Sequence, residues 1–177
     1  MRRLTVAVLL LPALLGGCGT AQPAAEPVNA DDVMFLQMMI PHHRQGLEIV
    51  KLARDRGKHP ELKTLAAAIE TTQGDEIANM SAWLHDWDQP LAAPTDAHAG
   101  HDVPETDLRQ ITALRKSKTF DRDFLLLLIA HQDDAVQLAL KEGYGGANPK
   151  VKAWAKQVEK SRLQQIQIMK GLLEQMS

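Results

Sequence analysis

Asp32-Val-Met-Phe35-Leu36-Gln-Met38-Met39-Ile40-Pro41-His42-His43 returns 89 residues further on as Asp121-Arg-Asp-Phe124-Leu125-Leu-Leu127-Leu128-Ile129-Ala-His131-Gln132. The same ungapped offset carries Pro60 onto Pro149, Glu70 onto Glu159, Ile77 onto Ile166, Met80 onto Met169 and Leu84 onto Leu173. Over Asp32–Leu84, 13 of 53 positions are identical, where chance supplies roughly one in sixteen, so the chain carries an internal duplication. The two copies act as controls on each other. What both keep reports the fold, and what one alone keeps is a candidate for chemistry.

Around the repeated stretch, apolar residues recur at helical spacing. A first helix is predicted from about Asp31 to Arg56, with Phe35, Met39, His42, Gly46, Ile49 and Ala53 on one stripe and Gly57 as its stop. A second starts at Pro60, a favourable first helical residue, and runs to about Trp87. Its stripe is Leu62, Leu65, Ile69, Gln73, Glu76, Met80 and Trp83. Asp88–Pro104 holds prolines and reads as a loop, followed by a short helix over Thr106–Ser117. The third long helix, about Phe120–Glu142, repeats the first. Asn148 and Pro149 cap and start a fourth, which runs to near Met176 and repeats the second. No segment alternates as a half-buried strand does. The expected fold is all-α: a four-helix bundle made of two duplicated hairpins, residues 31–87 and 120–176, that bury their apolar faces together.

At the N-terminus, Arg2-Arg3, an apolar run over Leu4–Leu15 and the small-residue site ending at Cys18 resemble a bacterial lipoprotein signal over residues 1–17. Cys18 is the single cysteine, so it is the expected lipidation site and forms no internal disulfide or thiolate metal site. Residues 18–30 read as a flexible tether. Residues 31–177 suffice for one domain with a real core. Without Arg2 and Arg3, 18 basic residues face 22 acidic ones, a formal charge of −4. With no basic patch, nucleic acid is excluded as the expected partner. No later run is apolar enough to span a bilayer. The protein is therefore expected to be exported and anchored to the envelope by lipid alone.

The chemistry lies on the core stripes. At 100° per residue, His42 falls mid-stripe with Met38 and Met39 flanking it one turn away and His43 at the edge. On the second helix Glu76, Met80 and Gln73 share the middle of an apolar stripe. A carboxylate there is costly unless a cation, a hydrogen-bonded partner or a metal meets it. On one reading, His42 donates to Glu76 and the methionines fill the core. On the other, Met38, Met39, His42, His43, Glu76 and Met80 form a metal site across two facing helices. Pro41 leaves the carbonyl of Gln37 unpaired one residue before the histidine pair.

The second copy keeps His131 and Met169. It replaces Met38 and Met39 by Leu127 and Leu128, His43 by Gln132, Gln73 by Arg162 and Glu76 by Gln165. Each change weakens cation binding, so the first copy reads as the competent half, with His131 a further ligand if the hairpins bring it near His42. Thioether plus imidazole favours Cu(I), with Cu(II) tolerated through nitrogen and oxygen. A weaker second candidate is the loop pair His98 and His101 beside Asp102. His59 and His85 read as cap or surface residues.

The pattern Asp32-x-x-Phe35-x-x-Met38-Met39-x-Pro41-His42-His43, then Gln73-x-x-Glu76-x-x-x-Met80, then Phe120-Asp121-x-x-Phe124 leading to His131, resembles the secreted bacterial proteins of domain-of-unknown-function family 305. The resemblance implies a ferritin-like four-helix bundle, often exported, with members implicated in copper binding or tolerance. It implies the same ligand set: Met38, Met39, His42, His43, Glu76 and Met80. The expected function is non-enzymatic copper sequestration, trafficking or tolerance outside the cytoplasmic membrane, with a copper-handling protein as a candidate partner. A metal-free envelope interaction module is the alternative. A di-metal oxidase is disfavoured, because the chain holds no Glu-x-x-His.

Overall fold

Each repeat folds as a helical hairpin, and the duplication is visible in how the hairpins lock together. The structure, a computed structural model, describes residues 26–93 and 107–176. Helix α1 spans Ala30–Arg56, α2 Pro60–Asp86, α3 Leu108–Lys116, α4 Phe120–Gly145 and α5 Pro149–Gln175. The chain is all-α, with five helices and no strand among the described residues. Cys18, the signal-like segment, most of the tether, and His98 and His101 lie outside the described residues.

The helix starts follow their capping chemistry. Asn29 and Asp32 form a reciprocal capping box: the Asn29 side chain accepts from the Asp32 amide at 3.0 Å, and the Asp32 carboxylate accepts from the Asn29 amide at 2.7 Å. Asn148 caps the amides of Lys150 and Val151 ahead of Pro149. Helix α1 therefore starts at Ala30, one residue before the predicted Asp31. Helix α4 runs to Gly145, three residues past the predicted end. Gly57 and Gly146 stop α1 and α4 in extended rather than left-handed backbone. They are glycines for lack of room: a Cβ would meet the Ala53 carbonyl at 2.6 Å in one case and the Glu142 carboxylate in the other. Helix α1 continues through Pro41 without interruption.

Asp32 also accepts from the amides of Ala147 and Asn148 in the α4–α5 turn, at 3.1 and 2.9 Å. Asp121 does the same for Lys58 and His59 in the α1–α2 turn, at 3.1 and 3.0 Å. All these positions differ by 89, so each repeat closes the turn of the other. Such reciprocity is the mark of an approximate two-fold. Asp32 carries one further neighbour, Glu142, where the first repeat has Ala53. Burial and the facing Asp32 carboxylate push the Glu142 carboxyl up to about 8.

Helix α1 packs on α2 and α4, and α4 on α5. Helices α2 and α5 approach only sparsely at the backbone, and long side chains bridge their seam: Trp83 meets Trp154 edge to face at 5.6 Å, and Arg162 reaches Glu76. Short α3 is pinned by Arg56, which donates to the Leu114 and Ser117 carbonyls and lies over the Phe120 ring. The apolar core divides into two clusters. One holds Ile49, Leu62, Ile69, Phe124, Leu128 and Met169; the other holds Phe35, Met38, Met39, Met80, Leu84 and Val158. No helix among the described residues is long and apolar enough to cross a membrane.

Candidate metal centre

Buried polar side chains from all four long helices form a layer in the core: His42 and His43 from α1, Gln73 and Glu76 from α2, His131 and Gln132 from α4, and Arg162 from α5. The layer repeats with the fold. His43 pairs with Glu76 at 2.7 Å, and the equivalent Gln132 pairs with Gln165. Gln73 reaches Gln132 at 3.5 Å, and the equivalent Arg162 lies 3.2 Å from His43 Nε2, both nitrogens donating to the same Glu76 oxygen. At the middle, the His42 and His131 rings stack with centroids 3.9 Å apart and planes 12° apart. Gly46 makes room there, since a Cβ would run into Gln73 and His131.

The partner of Glu76 is thus His43, not His42, together with the Arg162 guanidinium. Burial alone would raise the Glu76 carboxyl; the His43 hydrogen bond and the Arg162 charge outweigh it and hold it below its ordinary range. A fully buried arginine needs such a carboxylate. Arg162 therefore neutralises the first repeat's carboxylate, besides marking what the second repeat has lost. Its place on the core stripe of α5 was the sequence signal for this partnership. Read within its own copy, it showed only a lost cation site.

His42 Nε2 lies 3.1 Å from the His131 carbonyl oxygen, which can only accept, so His42 donates from Nε2 and its Nδ1 keeps a lone pair. His43 Nε2 faces Glu76, and donation to that carboxylate leaves its Nδ1 in the same state. Both Nδ1 atoms are buried with no hydrogen-bond partner. Burial, followed by neighbouring positive charge, holds His42 well below its ordinary range, and the same causes bring His131 to about 3. Burial likewise lowers His43, against the hydrogen bond of Glu76. The imidazoles are neutral, the ligating form.

Met38, Met39 and Met80 are buried together in one apolar cluster. Of the positions singled out in the sequence, the fold therefore gathers the three methionines in that cluster and His42, His43, Glu76 and His131 in the polar layer. Among the described residues, no three His, Cys, Asp or Glu side chains are grouped to hold a metal ion. Imidazole nitrogens and thioethers are donors that a soft ion prefers, and the carboxylate of the layer is taken by a guanidinium. His59 bonds Asp121 at 2.6 Å, and His85 is exposed, so neither belongs to the layer.

The sequence profile of the family described as Domain of unknown function (DUF305) matches residues 32–173, and the chain belongs to that family. Among solved structures, a DUF305 fragment from Deinococcus radiodurans superposes with a TM-score of 0.73 at 28% identity, over 84% of this chain and 99% of that one. CopM in its Cu(II)-bound form gives 0.73 at 31%, over 82% and 97%. CopM in its Cu(I)-bound form gives 0.70 at 29%, over 81% and 96%. No curated protein sequence matches the chain.

Proposed function

We propose that the protein binds copper through the Nδ1 atoms of His42 and His43 with thioethers from Met38, Met39 and Met80, on a ferritin-like bundle. The observation that carries the reading is the state of the two imidazoles. Each commits Nε2 to an acceptor, the His131 carbonyl or Glu76, and each leaves Nδ1 buried without a partner. A ligating histidine is commonly held this way, by a carbonyl or carboxylate on its other nitrogen. Glu76 then orients His43 rather than ligating, because Arg162 already occupies its charge. His131 supports His42 by stacking and through its carbonyl.

The charge balance favours Cu(I). Glu76 and Arg162 cancel, the imidazoles and thioethers are neutral, and a second buried positive charge would lack a counter-ion. The likeness to CopM, solved with Cu(I) and with Cu(II), supports the metal. The role is non-enzymatic: copper is held or handed on outside the cytoplasmic membrane, by a protein exported and anchored through a lipid on Cys18. The competing reading is a metal-free interaction module whose polar layer only fixes register, and the Arg162–Glu76 pair favours it. Titration of the purified protein with copper, with and without reductant and against a competing chelator, separates the two. Tight Cu(I) binding lost in His42→Ala supports the copper site. No binding in either oxidation state overturns it.

A further inference from the structure

Between the first turns of α1 and the last turns of α4 lies a solvent-open cavity of about 370 Å³, lined by Asp31, Met34, Phe35, Met38, Leu138 and Glu142 among others. Met34 and Met38 are four residues apart and lie one above the other on α1, and His42 continues the row. Met34 is partly exposed, Met38 is 7% exposed and His42 4%. The row thus leads from water to the polar layer, and its outer members are soft donors.

Glu142 gives a second, independent observation at the same place. It is 2% exposed, and no donor in the protein reaches either carboxylate oxygen. What faces it is Asp32, itself engaged by the amides of Asn29, Ala147 and Asn148, with Asp31 on the same side and Lys152 as the opposing charge. Lys141 also lines the cavity, and its exposed side chain keeps the ammonium in water. Raised to about 8, the Glu142 carboxyl is a neutral acid hydrogen-bonded to Asp32, and the fold does not require an acid there: the equivalent position in the first repeat is Ala53. The equivalents of Met34 and Met38 are Asp123 and Leu127. The combination is built once.

We propose that this cavity is an outer site for a soft monovalent cation, Cu(I) or Ag(I), bound by the Met34 and Met38 thioethers with the Glu142 carboxyl exchanging its proton for the cation, from which the buried imidazoles are loaded. It rests on the copper reading of the polar layer and adds Met34 and Glu142 to it. The test is a titration with Ag(I) of protein labelled with carbon-13 at its methionine methyl groups, which reports each thioether separately. The Met34 and Met38 signals shift on binding. In Glu142→Gln the Ag(I) concentration that half-shifts Met34 rises roughly tenfold or more, while Met39 and Met80 titrate as before. Met34→Leu, which conserves volume, removes one equivalent of bound Ag(I). If Met39 and Met80 shift while Met34 stays still, or if Met34 is indifferent to Glu142→Gln, the outer site is wrong and the copper reading stands. If no methionine responds to Ag(I) or Cu(I), both fail together.

Discussion

His42 and His131, equivalent residues of the two repeats, stack face to face with ring centroids 3.9 Å apart. Two imidazolium rings could not do this, and burial keeps both rings neutral. The histidine kept in both copies is therefore the contact at which the repeats meet, and the hairpins do bring His131 beside His42. The asymmetry between the copies starts one residue later, with His43 against Gln132.

His42→Ala and His131→Ala are accordingly expected to differ. His42→Ala removes an Nδ1 donor and should weaken copper binding by roughly 10–100-fold or more. His131→Ala keeps the backbone carbonyl that holds His42 Nε2 and removes the ring stacked on it. It should lower stability by about 2–4 kcal/mol, as a large-to-small core change, and change affinity much less. Chelator competition beside thermal melts reads both. Equal losses of affinity would place both rings in the metal's coordination shell.

Gly46 supplies a test of the layer's packing with an inverted sign. In an exposed helix interior, glycine to alanine stabilises by roughly 1 kcal/mol. At Gly46 the added Cβ would overlap Gln73 and His131. Gly46→Ala should therefore destabilise by about 1–3 kcal/mol, the range of overpacking, and disturb the His42 stack. Denaturant unfolding measures the sign, and a gain in stability would show the layer to be loosely packed there.

The helices were legible because Pro60, Pro149, Asn148 and the apolar stripes are local signals, and local signals place helix ends within a few residues. Helix α4 overruns its predicted end because Tyr144-Gly-Gly-Ala-Asn148-Pro149 reads as a turn, while packing against the α1 N-terminus carries the helix on to Gly145: Asn29 donates to the Gly145 carbonyl at 2.8 Å. The membership of the polar layer was legible too. Its pairing was not. Helical angles place residues on a face, but they do not say which helix lies opposite. Angles alone therefore pair Glu76 with His42 and keep Arg162 inside its own repeat.

Acid sensitivity should be traceable to Asp121. Burial raises its carboxyl, but the His59 ring and the Lys58 and His59 amides outweigh burial and hold it below its ordinary 3.8. A depressed folded value means that the unfolded chain takes up the proton more readily. The stabilisation is present above about pH 4 and is lost as the pH falls through the folded value. Asp121→Asn should lower Tm at neutral pH and flatten the acid limb of the Tm profile. If wild type and variant lose stability in parallel on acidification, Asp121 is not the group responsible.

Glu76 and Arg162 make the sharpest test, because the pair and the metal predict different double mutants. Glu76→Gln leaves a fully buried guanidinium without its carboxylate, which costs about 3–5 kcal/mol by the usual scale for breaking a buried pair. Arg162→Gln leaves Glu76 facing His43 alone and should cost a similar amount. The double variant Glu76→Gln/Arg162→Gln recreates the neutral chemistry that the second repeat already uses, where Gln132 pairs with Gln165 and Gln73. It should recover most of the lost stability, so the coupling energy should be at least as large as one single loss, about 3–5 kcal/mol or more. Copper affinity should not recover, since a glutamine orients the His43 imidazole less firmly than a carboxylate does; a deficit of roughly 10–100-fold should persist in the double variant. Melts and copper competition on the four proteins of the cycle decide between the readings. Recovery of both stability and affinity would assign Glu76 to the fold alone and leave His42, His43 and the methionines as the whole of the site.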